Sequence, residues 1–158
     1  MSHGKKDILL ILHNIRSVHN VGSIFRTADG AGVEKLYLVG HTPTPIDRFG
    51  RARKDLAKVA LGAEVSVSWE YHKTISPLIR KLRKEGVGVV AVEQDERSVN
   101  YKTFKTKKPV ALILGNEVTG IPKKVLALCD AIVEIPMRGK KESLNVSVVA
   151  GIVLFELV

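Results

Sequence analysis

The sequence predicts an α/β protein with a mainly parallel β-sheet and helices on both of its faces. Several short segments are apolar at nearly every position, as in residues 8–13 and 110–114, which is typical of a strand covered on both sides. These segments alternate with stretches whose apolar residues recur at helical spacing, the order found in parallel sheets. A length of 158 residues without a repeat or a flexible linker predicts one domain over residues 1–158.

Six segments are predicted to be strands because they are short, mostly apolar and bounded by polar or glycine-containing stretches. In chain order they are residues 8–13, 35–39, 65–69, 87–92, 110–114 and 131–135.

Four helices are predicted between these strands. The first begins at Asn20, which is placed as its N-cap, and its apolar residues recur from Val21 to Ala28 at helical spacing. The others are a basic helix at residues 53–61, an amphipathic helix at residues 75–85 that stops at Gly86, and a short helix at residues 122–128.

The segment from Leu144 to the last residue is apolar nearly all round. Its valines also permit a strand, but its length and Ser143, a favourable N-cap, favour a helix. Such a helix needs burial around its whole circumference. The sequence leaves open whether the helix lies in the core or in an interface between subunits.

The charge balance favours a polyanionic partner such as nucleic acid. Lys and Arg number 25 against 16 Asp and Glu, a formal net charge of +9. The alternative is a basic surface that is only solvated. The excess lies in three clusters: Arg48, Arg51, Arg53, Lys54 and Lys58; Lys102, Lys105, Lys107 and Lys108; and Arg138, Lys140 and Lys141.

A cytoplasmic protein without a membrane span is the simplest expectation. Residues 1–7 are polar and basic and lack the apolar core of a signal peptide. The longest apolar stretch, residues 146–158, is shorter than the ~20 residues that span a bilayer. The single cysteine, Cys129, excludes an intramolecular disulfide and indicates no metal cluster.

Two glycine motifs of nucleotide-binding proteins fail on their context. Gly86 and Gly88 with Ala91 mimic the spacing of a dinucleotide fingerprint, but they stand at the start of a predicted strand, and the fingerprint follows a strand. Residues 139–141 lack the upstream glycine and the Ser or Thr of a phosphate-binding loop. A dinucleotide-dependent oxidoreductase is therefore the weakest candidate.

Polar clusters follow three of the predicted strands, at the sheet edge where parallel α/β proteins bind ligands. The first runs from Asn14 to Arg26, and the missing side chain at Gly22 leaves room for the Arg26 guanidinium or a substrate. An N-cap, a permissive glycine and a surface arginine are the alternative interpretation of this cluster.

The second cluster, Gly115-Asn116-Glu117 closed by Gly120, exposes main-chain groups that can hold a small ligand. An ordinary strand-to-helix turn is the alternative.

The third cluster comprises residues 135–139 and 143–147. N-capping of the last helix explains its Ser143. Asn145 beside an apolar helix is harder to explain, because a buried amide needs partners.

Together and in this order, the three clusters resemble the signature motifs of the SpoU (TrmH-like) branch of the SPOUT methyltransferases. The resemblance covers nearly the whole chain. The matching residues are Asn20-Val21-Gly22 with Arg26, then Leu114-Gly115-Asn116-Glu117 with Gly120, and then Ile135-Pro136-Met137 with Ser143-Leu144-Asn145-Val146-Ser147.

The resemblance implies a C-terminal trefoil knot, a homodimer with its active site at the interface, and a bent S-adenosylmethionine bound in the knot without any metal. The apolar last helix would then cover part of the dimer interface. The positions carried over for the cofactor are Leu114, Gly115, Asn116, Ile135, Met137, Ser143 and Leu144.

The resemblance also implies methyl transfer from S-adenosylmethionine to a ribose 2′-hydroxyl of RNA, which leaves S-adenosylhomocysteine. Arg26 matches the arginine that the family uses to help remove the hydroxyl proton. A charged Arg26 could instead grip the phosphate and stabilise the developing alkoxide. His13 and His19 are weaker candidates for a base. Residues expected to orient Arg26 and the ribose are Asn20, Glu117, Ser143 and Asn145.

RNA contacts are expected from Arg16 in the first motif and from a basic segment that contains Phe49. The residues proposed for that docking surface are Arg48, Arg51, Arg53 and Lys54. A chain of this size fits transfer RNA recognised by the dimer slightly better than ribosomal RNA. Two alternatives stay open, a SPOUT enzyme that acts on a base and a non-catalytic RNA-binding protein with this fold. The Ser143-Leu144-Asn145 signature favours the ribose-modifying branch over the first.

Overall fold

The computed structural model describes residues 7–106 and 108–158, and its centre is a sheet of seven strands. Every strand pairing in this sheet is parallel, in the order β3-β2-β1-β6-β4-β7-β5. The predicted α/β class with a parallel sheet is confirmed, whereas the trefoil knot stays a prediction. The strands are β1 (Ile8–His13), β2 (Lys35–Val39), β3 (Ser68–His72), β4 (Gly88–Val92), β5 (Val99–Asn100), β6 (Val110–Leu114) and β7 (Ala131–Glu134).

Within residues 7–106 and 108–158, six helices connect or follow these strands. They are α1 (Val18–Ala31), α2 (Lys54–Ala60), α3 (Ala63–Ser66), α4 (Ile75–Lys84), α5 (Lys123–Leu126) and α6 (Val146–Leu157). None of the helices in the described part of the chain is long and apolar enough to cross a membrane.

The core has two layers because the strands are apolar on both sides. Alternate residues of β1 point to opposite faces: Leu10 and Leu12 pack with α1, α2, α3 and α6, whereas Leu9 and Ile11 pack with α4 and α5. Helices therefore cover both faces, as predicted for a doubly covered parallel sheet.

The predicted strand over residues 65–69 is wrong at its start. Val65 and Ser66 belong to α3, and the strand begins at Ser68. The amides of Val65 and Ser66 both donate to the carbonyl of Gly62, whose φ of 93° lets the chain turn there. These local bonds form a helical turn, and Val65 is left 85% exposed.

Both predicted N-caps are wrong, because each helix begins at a different residue. The N-cap of α1 is Ser17, whose hydroxyl accepts from the amide of Asn20 at 3.1 Å. The N-cap of α6 is Asn145, which accepts from the amide of Ser147 at 2.8 Å, and not Ser143. The Asn20 side chain is consequently free for another contact.

Helix α6 is buried on one side only. Ala150, Val153 and Leu154 pack into the core layer of α1, but Val148 and Phe155 are 48% and 55% exposed. The expected burial around the whole circumference is therefore not reached within one chain.

Gly22 permits close contact between α1 and α2. A Cβ built at Gly22 would lie 2.8 Å from the Cβ of Val59 and 3.0 Å from the carbonyl oxygen of Leu56. Helix α2 thus fills the space beside Gly22. The prediction that this space accommodates Arg26 or a substrate is wrong.

Gly22→Ala is expected to destabilise the fold by about 1–2 kcal/mol, because overpacking at a helix contact exceeds the gain in helix propensity. The measurement is the free energy of unfolding in urea. The control is Gly88→Ala, where a Cβ would meet only the carbonyl oxygen of Pro109, at 3.8 Å. We expect that variant to be neutral or slightly stabilising, and equal stabilities of the two variants would contradict the packing argument.

Candidate active site

The three polar clusters meet in one cavity of about 450 Å³ at the carboxyl ends of β4, β6 and β7. That volume lies in the range of small-molecule sites. All seven predicted cofactor positions line the cavity, and so do four of the five predicted catalytic residues. The predicted residues that it brings together are Asn20, Leu114, Gly115, Asn116, Glu117, Ile135, Met137, Ser143, Leu144 and Asn145.

A chain of hydrogen bonds joins the three clusters to one another. The side-chain Nδ2 of Asn20 donates to Oε1 of Glu117 at 3.3 Å. The side-chain Oδ1 of Asn20 accepts from Nδ2 of Asn145 at 3.2 Å. Asn145 in turn caps α6 through the amide of Ser147. Asn20 is buried and Asn145 is exposed, so Asn145 is not the buried amide that the sequence suggested. Its side-chain amide nevertheless bonds at both ends, to Asn20 on α1 and to Ser147 on α6, and so links the two helices.

Glu117 also anchors the loop that precedes α1. Its carboxylate accepts from the amide of Ser17 at 3.2 Å and from that of Arg16 at 3.3 Å. Partial burial tends to raise the pKa of Glu117. Hydrogen bonds from its own amide, from Asn20, and from the amides of Ser17 and Arg16 outweigh this effect and leave the pKa below its usual value. Glu117 is therefore a carboxylate at neutral pH.

The turn after β6 forms a wall of the cavity, and Asn116 and Glu93 hold it. Asn116 donates to the carbonyl of Asn14 at 2.8 Å and accepts from the amides of Val118 and Thr119. Glu93 accepts from the amide of Ile121 at 2.9 Å. The Asn116 side chain, predicted to bind the cofactor, is thus occupied in fixing this turn.

Three further residues line the cavity but were not predicted from the sequence: Glu93, Gln94 and Glu134. Glu93 and Gln94 directly follow β4, and Glu134 ends β7. They could have been predicted, because polar residues at the carboxyl ends of buried strands were the pattern that identified Glu117. Gln94 also donates to the carbonyl of Glu142 at 2.6 Å, which links β4 to the loop before α6.

Arg26 lies outside this cavity, on the exposed side of α1. It borders a shallow groove with His19, Val59 and Phe155, between α1, α2 and α6. Of the predicted catalytic residues, it is the one that a single chain does not bring to the cavity. His13 is buried at the end of β1, and burial lowers its pKa. Its Nδ1 has no hydrogen-bond partner among the residues that the structure describes.

The predicted RNA-binding residues lie in two separate parts of the chain. Arg16 is exposed in the loop between β1 and α1. Arg48 and Arg51 are exposed in the segment between β2 and α2, and Lys54 is exposed at the first position of α2. Arg53 forms a two-point ion pair with Asp55, at 2.8 and 3.2 Å. Of the second basic cluster, Lys102, Lys105 and Lys108 are exposed, and Lys107 lies outside the described residues.

A family model described as the SpoU rRNA methylase family matches residues 7–155. This chain belongs to the SpoU rRNA methylase family. The match extends over β1 to α6 and includes all three clusters that meet at the cavity.

Members of the SpoU family from several bacteria are similar to the chain in sequence and in structure. A tRNA (guanosine(18)-2′-O)-methyltransferase of Escherichia coli K12 is 30% identical over 156 residues, which are 99% of this chain and 65% of that protein. The crystal structure of the A. aeolicus TrmH/SpoU tRNA modifying enzyme superposes with a TM-score of 0.83 at 30% identity, covering 96% of this chain and 74% of that one.

The AdoMet-bound rRNA methyltransferase of Sinorhizobium meliloti superposes with a TM-score of 0.86 at 34% identity. The match covers 95% of this chain and 55% of that one. The chain thus spans about two thirds of the E. coli relative and about half of the S. meliloti enzyme. What these SpoU proteins share with the chain is the parallel α/β unit that carries the cavity.

Glu117→Gln is expected to have a lower free energy of unfolding at neutral pH than the unaltered protein, because Asn20 and the amides of Ser17 and Arg16 lose a charged acceptor. The pKa of Glu117 is lowered in the fold, so its stabilising effect is present above the unfolded carboxyl pKa and is lost as the pH falls through the folded pKa. The difference between the two proteins should therefore shrink below about pH 4.

Urea unfolding at neutral and acidic pH measures this difference. The control is Glu96→Gln, because Glu96 is exposed and accepts no hydrogen bond from the described residues. A stability difference for Glu117→Gln that does not change with pH would contradict the role given to its charge.

Proposed function

We propose that the chain is an RNA 2′-O-ribose methyltransferase that uses S-adenosylmethionine. The observation that carries this proposal is the hydrogen-bonded series Glu117–Asn20–Asn145, which joins three distant sequence motifs at one cavity. SpoU relatives that are named as 2′-O-methyltransferases support the reaction, and an AdoMet-bound neighbour supports the cofactor.

The cavity fits S-adenosylmethionine in both size and charge. Its volume suits a ligand of that size, and the carboxylates of Glu93, Glu117 and Glu134 complement a sulfonium and an ammonium group. Apolar contacts come from Leu114, Ile135 and Met137, among others. When bound, S-adenosylmethionine supplies an electrophilic methyl carbon on a positively charged sulfur.

Asn20 and Asn145 would orient the RNA ribose, because their amides lie on the cavity rim and are fixed by Glu117 and Ser147. Arg26 would contact the phosphate next to that ribose and stabilise the negative charge that develops on the 2′-oxygen while the hydroxyl gives its proton to water. A base role for Arg26 is the alternative. Catalysis here is chiefly a positioning task, which can lower the barrier by several kcal/mol.

A homodimer would bring Arg26 to a complete site. The exposed apolar residues of α6, Val148 and Phe155, need a cover, and Arg26 borders the same groove as Phe155. We propose that a second copy of this chain packs there, so that Arg26 of one protomer faces the cavity of its partner.

RNA is the proposed substrate, and transfer RNA is favoured over ribosomal RNA. Relatives named for either RNA class are similar to the chain, and the E. coli and A. aeolicus proteins are named for tRNA. A cytoplasmic location is part of this proposal, and the relatives named for these RNAs support it. The net charge of +9 suits either class.

Incubation with methyl-labelled S-adenosylmethionine and separate pools of unmodified transfer and ribosomal RNA tests the proposal. We expect label in a 2′-O-methylribose from the transfer RNA pool, and sedimentation of the same preparation should give a dimer mass. Label on a base would favour a base-modifying enzyme. Calorimetric cofactor binding without transfer in either pool would contradict the proposed substrate, and absence of cofactor binding would favour a non-catalytic RNA-binding protein.

A further inference from the structure

The segment between β2 and α2 presents an exposed phenylalanine beside two arginines. Phe49 is 65% exposed. The guanidinium carbons of Arg48 and Arg51 lie 4.9 and 5.2 Å from the centre of its ring, within the range of cation–π contacts. We call residues 46–52 the Phe49 turn.

The Phe49 turn is held in one conformation by its own hydrogen bonds. Oδ1 of Asp47 accepts from the amides of Phe49 and Arg51, at 2.8 and 3.0 Å, and the amide of Asp47 donates to the carbonyl of Arg51 at 2.8 Å. Gly50 has a φ of 77°, which closes the turn. A ring that is already ordered loses little conformational entropy when a ligand stacks on it.

The two arginines of the Phe49 turn have no acidic partner within the described part of the chain. Among residues 7–106 and 108–158, no carboxylate pairs with Arg48 or Arg51, although nearby Arg53 pairs with Asp55 at 2.8 Å. Two guanidinium groups around one ring repel each other, and an anionic ligand would relieve that repulsion. The turn is therefore suited to a ligand that combines a flat apolar face with negative charge.

The Phe49 turn is fixed on the same sheet edge as the candidate active site. It follows β2, and Thr42 at the start of this segment donates to the carbonyl of Leu12 and accepts from the amide of Ile15. After the turn, α2 packs directly on α1 at Gly22. The turn is thus positioned relative to α1, the helix that carries Asn20.

We propose that Phe49 is a stacking platform for an unpaired nucleobase of the RNA substrate, and that Arg48 and Arg51 contact the phosphates on either side of that base. Aromatic rings bind single-stranded RNA in this way because every base has a stackable face, whereas paired bases are not accessible. The substrate class is therefore RNA with an unpaired loop or single-stranded segment. This inference rests on the proposed function for the identity of the ligand as RNA.

The test measures binding, without cofactor, of a short single-stranded RNA that contains 2-aminopurine, whose fluorescence falls when the base stacks. In the unaltered protein we expect quenching on binding. Phe49→Leu should lose the quenching and bind this RNA about tenfold to a hundredfold more weakly, because one stacked base is lost. Phe49→Tyr keeps a ring and should retain both properties.

Salt dependence separates the ring from the charges. Arg48→Ala and Arg51→Ala should each reduce the slope of log affinity against log salt by about 0.7, the value for one phosphate contact with a single strand. Phe49→Leu should leave that slope unchanged. The charge control is Arg80→Ala, because Arg80 lies exposed on α4, on the opposite face of the sheet.

A duplex of the same sequence is the control ligand, and its affinity should not respond to Phe49→Leu. The proposal would be overturned if Phe49→Leu bound the single strand as tightly as the unaltered protein and quenched its fluorescence equally. The Phe49 turn would then serve another partner, such as a protein. Equal losses for duplex and single strand would overturn it as well. Because these assays need no methyl transfer, they can fail while the enzyme assay succeeds, and the reverse also holds.

Discussion

Replacement of Arg26 by alanine is expected to lower the rate of methyl transfer by about 10²–10³-fold or more, the effect of removing one group that stabilises developing negative charge. Cofactor affinity should change by no more than about twofold, because Arg26 does not line the cavity of its own chain and its proposed contact in the dimer is an RNA phosphate, not the cofactor. Single-turnover rates with labelled cofactor and calorimetric cofactor binding provide the two measurements.

Arg26→Lys separates the two roles considered for this residue. Lysine keeps the positive charge but not the planar fork, so a charged stabiliser should leave part of the rate in this variant. Arg80→Ala is the control for a general loss of positive charge and should behave like the unaltered protein. Loss of cofactor binding in Arg26→Ala, or an unchanged rate, would overturn the assignment of Arg26.

Replacement of Gly115 by alanine is expected to weaken cofactor binding and to reduce transfer by about a hundredfold, because displacements near 1 Å have effects of that size. A Cβ at Gly115 would lie 2.6 Å from Cγ1 of Ile121, 2.8 Å from the carbonyl carbon of Gly120 and 2.9 Å from the amide nitrogen of Ile121. The turn cannot yield easily, because Glu93 and Asn116 hold it. The cavity wall would therefore move.

Calorimetric titration with S-adenosylmethionine and the free energy of unfolding distinguish a displaced wall from a general loss of fold. We expect Gly115→Ala to cost about 1–3 kcal/mol of stability, as overpacked positions do. The control is Gly88→Ala at the other end of the sheet, where a Cβ would meet only the carbonyl oxygen of Pro109, at 3.8 Å. Unchanged cofactor affinity in Gly115→Ala would contradict the role of this turn in shaping the cavity.

Most of the fold and the composition of the cavity could be predicted from the sequence, because both depend on local patterns. Segments apolar on every side, such as Ile8–His13 and Val110–Leu114, can be stable only between two layers of helices, which dictates the parallel sheet. Polar residues just after these strands then meet at one edge. The three motifs in their order also predicted the SpoU family, which the family model confirmed.

Several details could not be read locally because they depend on contacts between distant segments. Position 22 needs a residue without a side chain because α2 packs against it. Nothing in the first motif indicates that α2 lies there. Asn20 is not a cap because Glu117, nearly a hundred residues later, accepts from it. The short, mostly apolar segment 65–69 suggested a strand, but at its start hydrogen bonds to Gly62 form a helical turn instead.

By itself, the amino-acid sequence determined the α/β class, the three polar clusters and their place at the carboxyl ends of strands, because apolar periodicity and strand direction are properties of each segment. Only the tertiary structure decided which side chains bond to one another across the clusters, that Asn116 and Glu93 hold a wall, and that Arg26 stands outside the cavity. Those outcomes depend on how separate elements pack, and packing is set by the shapes of all the neighbours together.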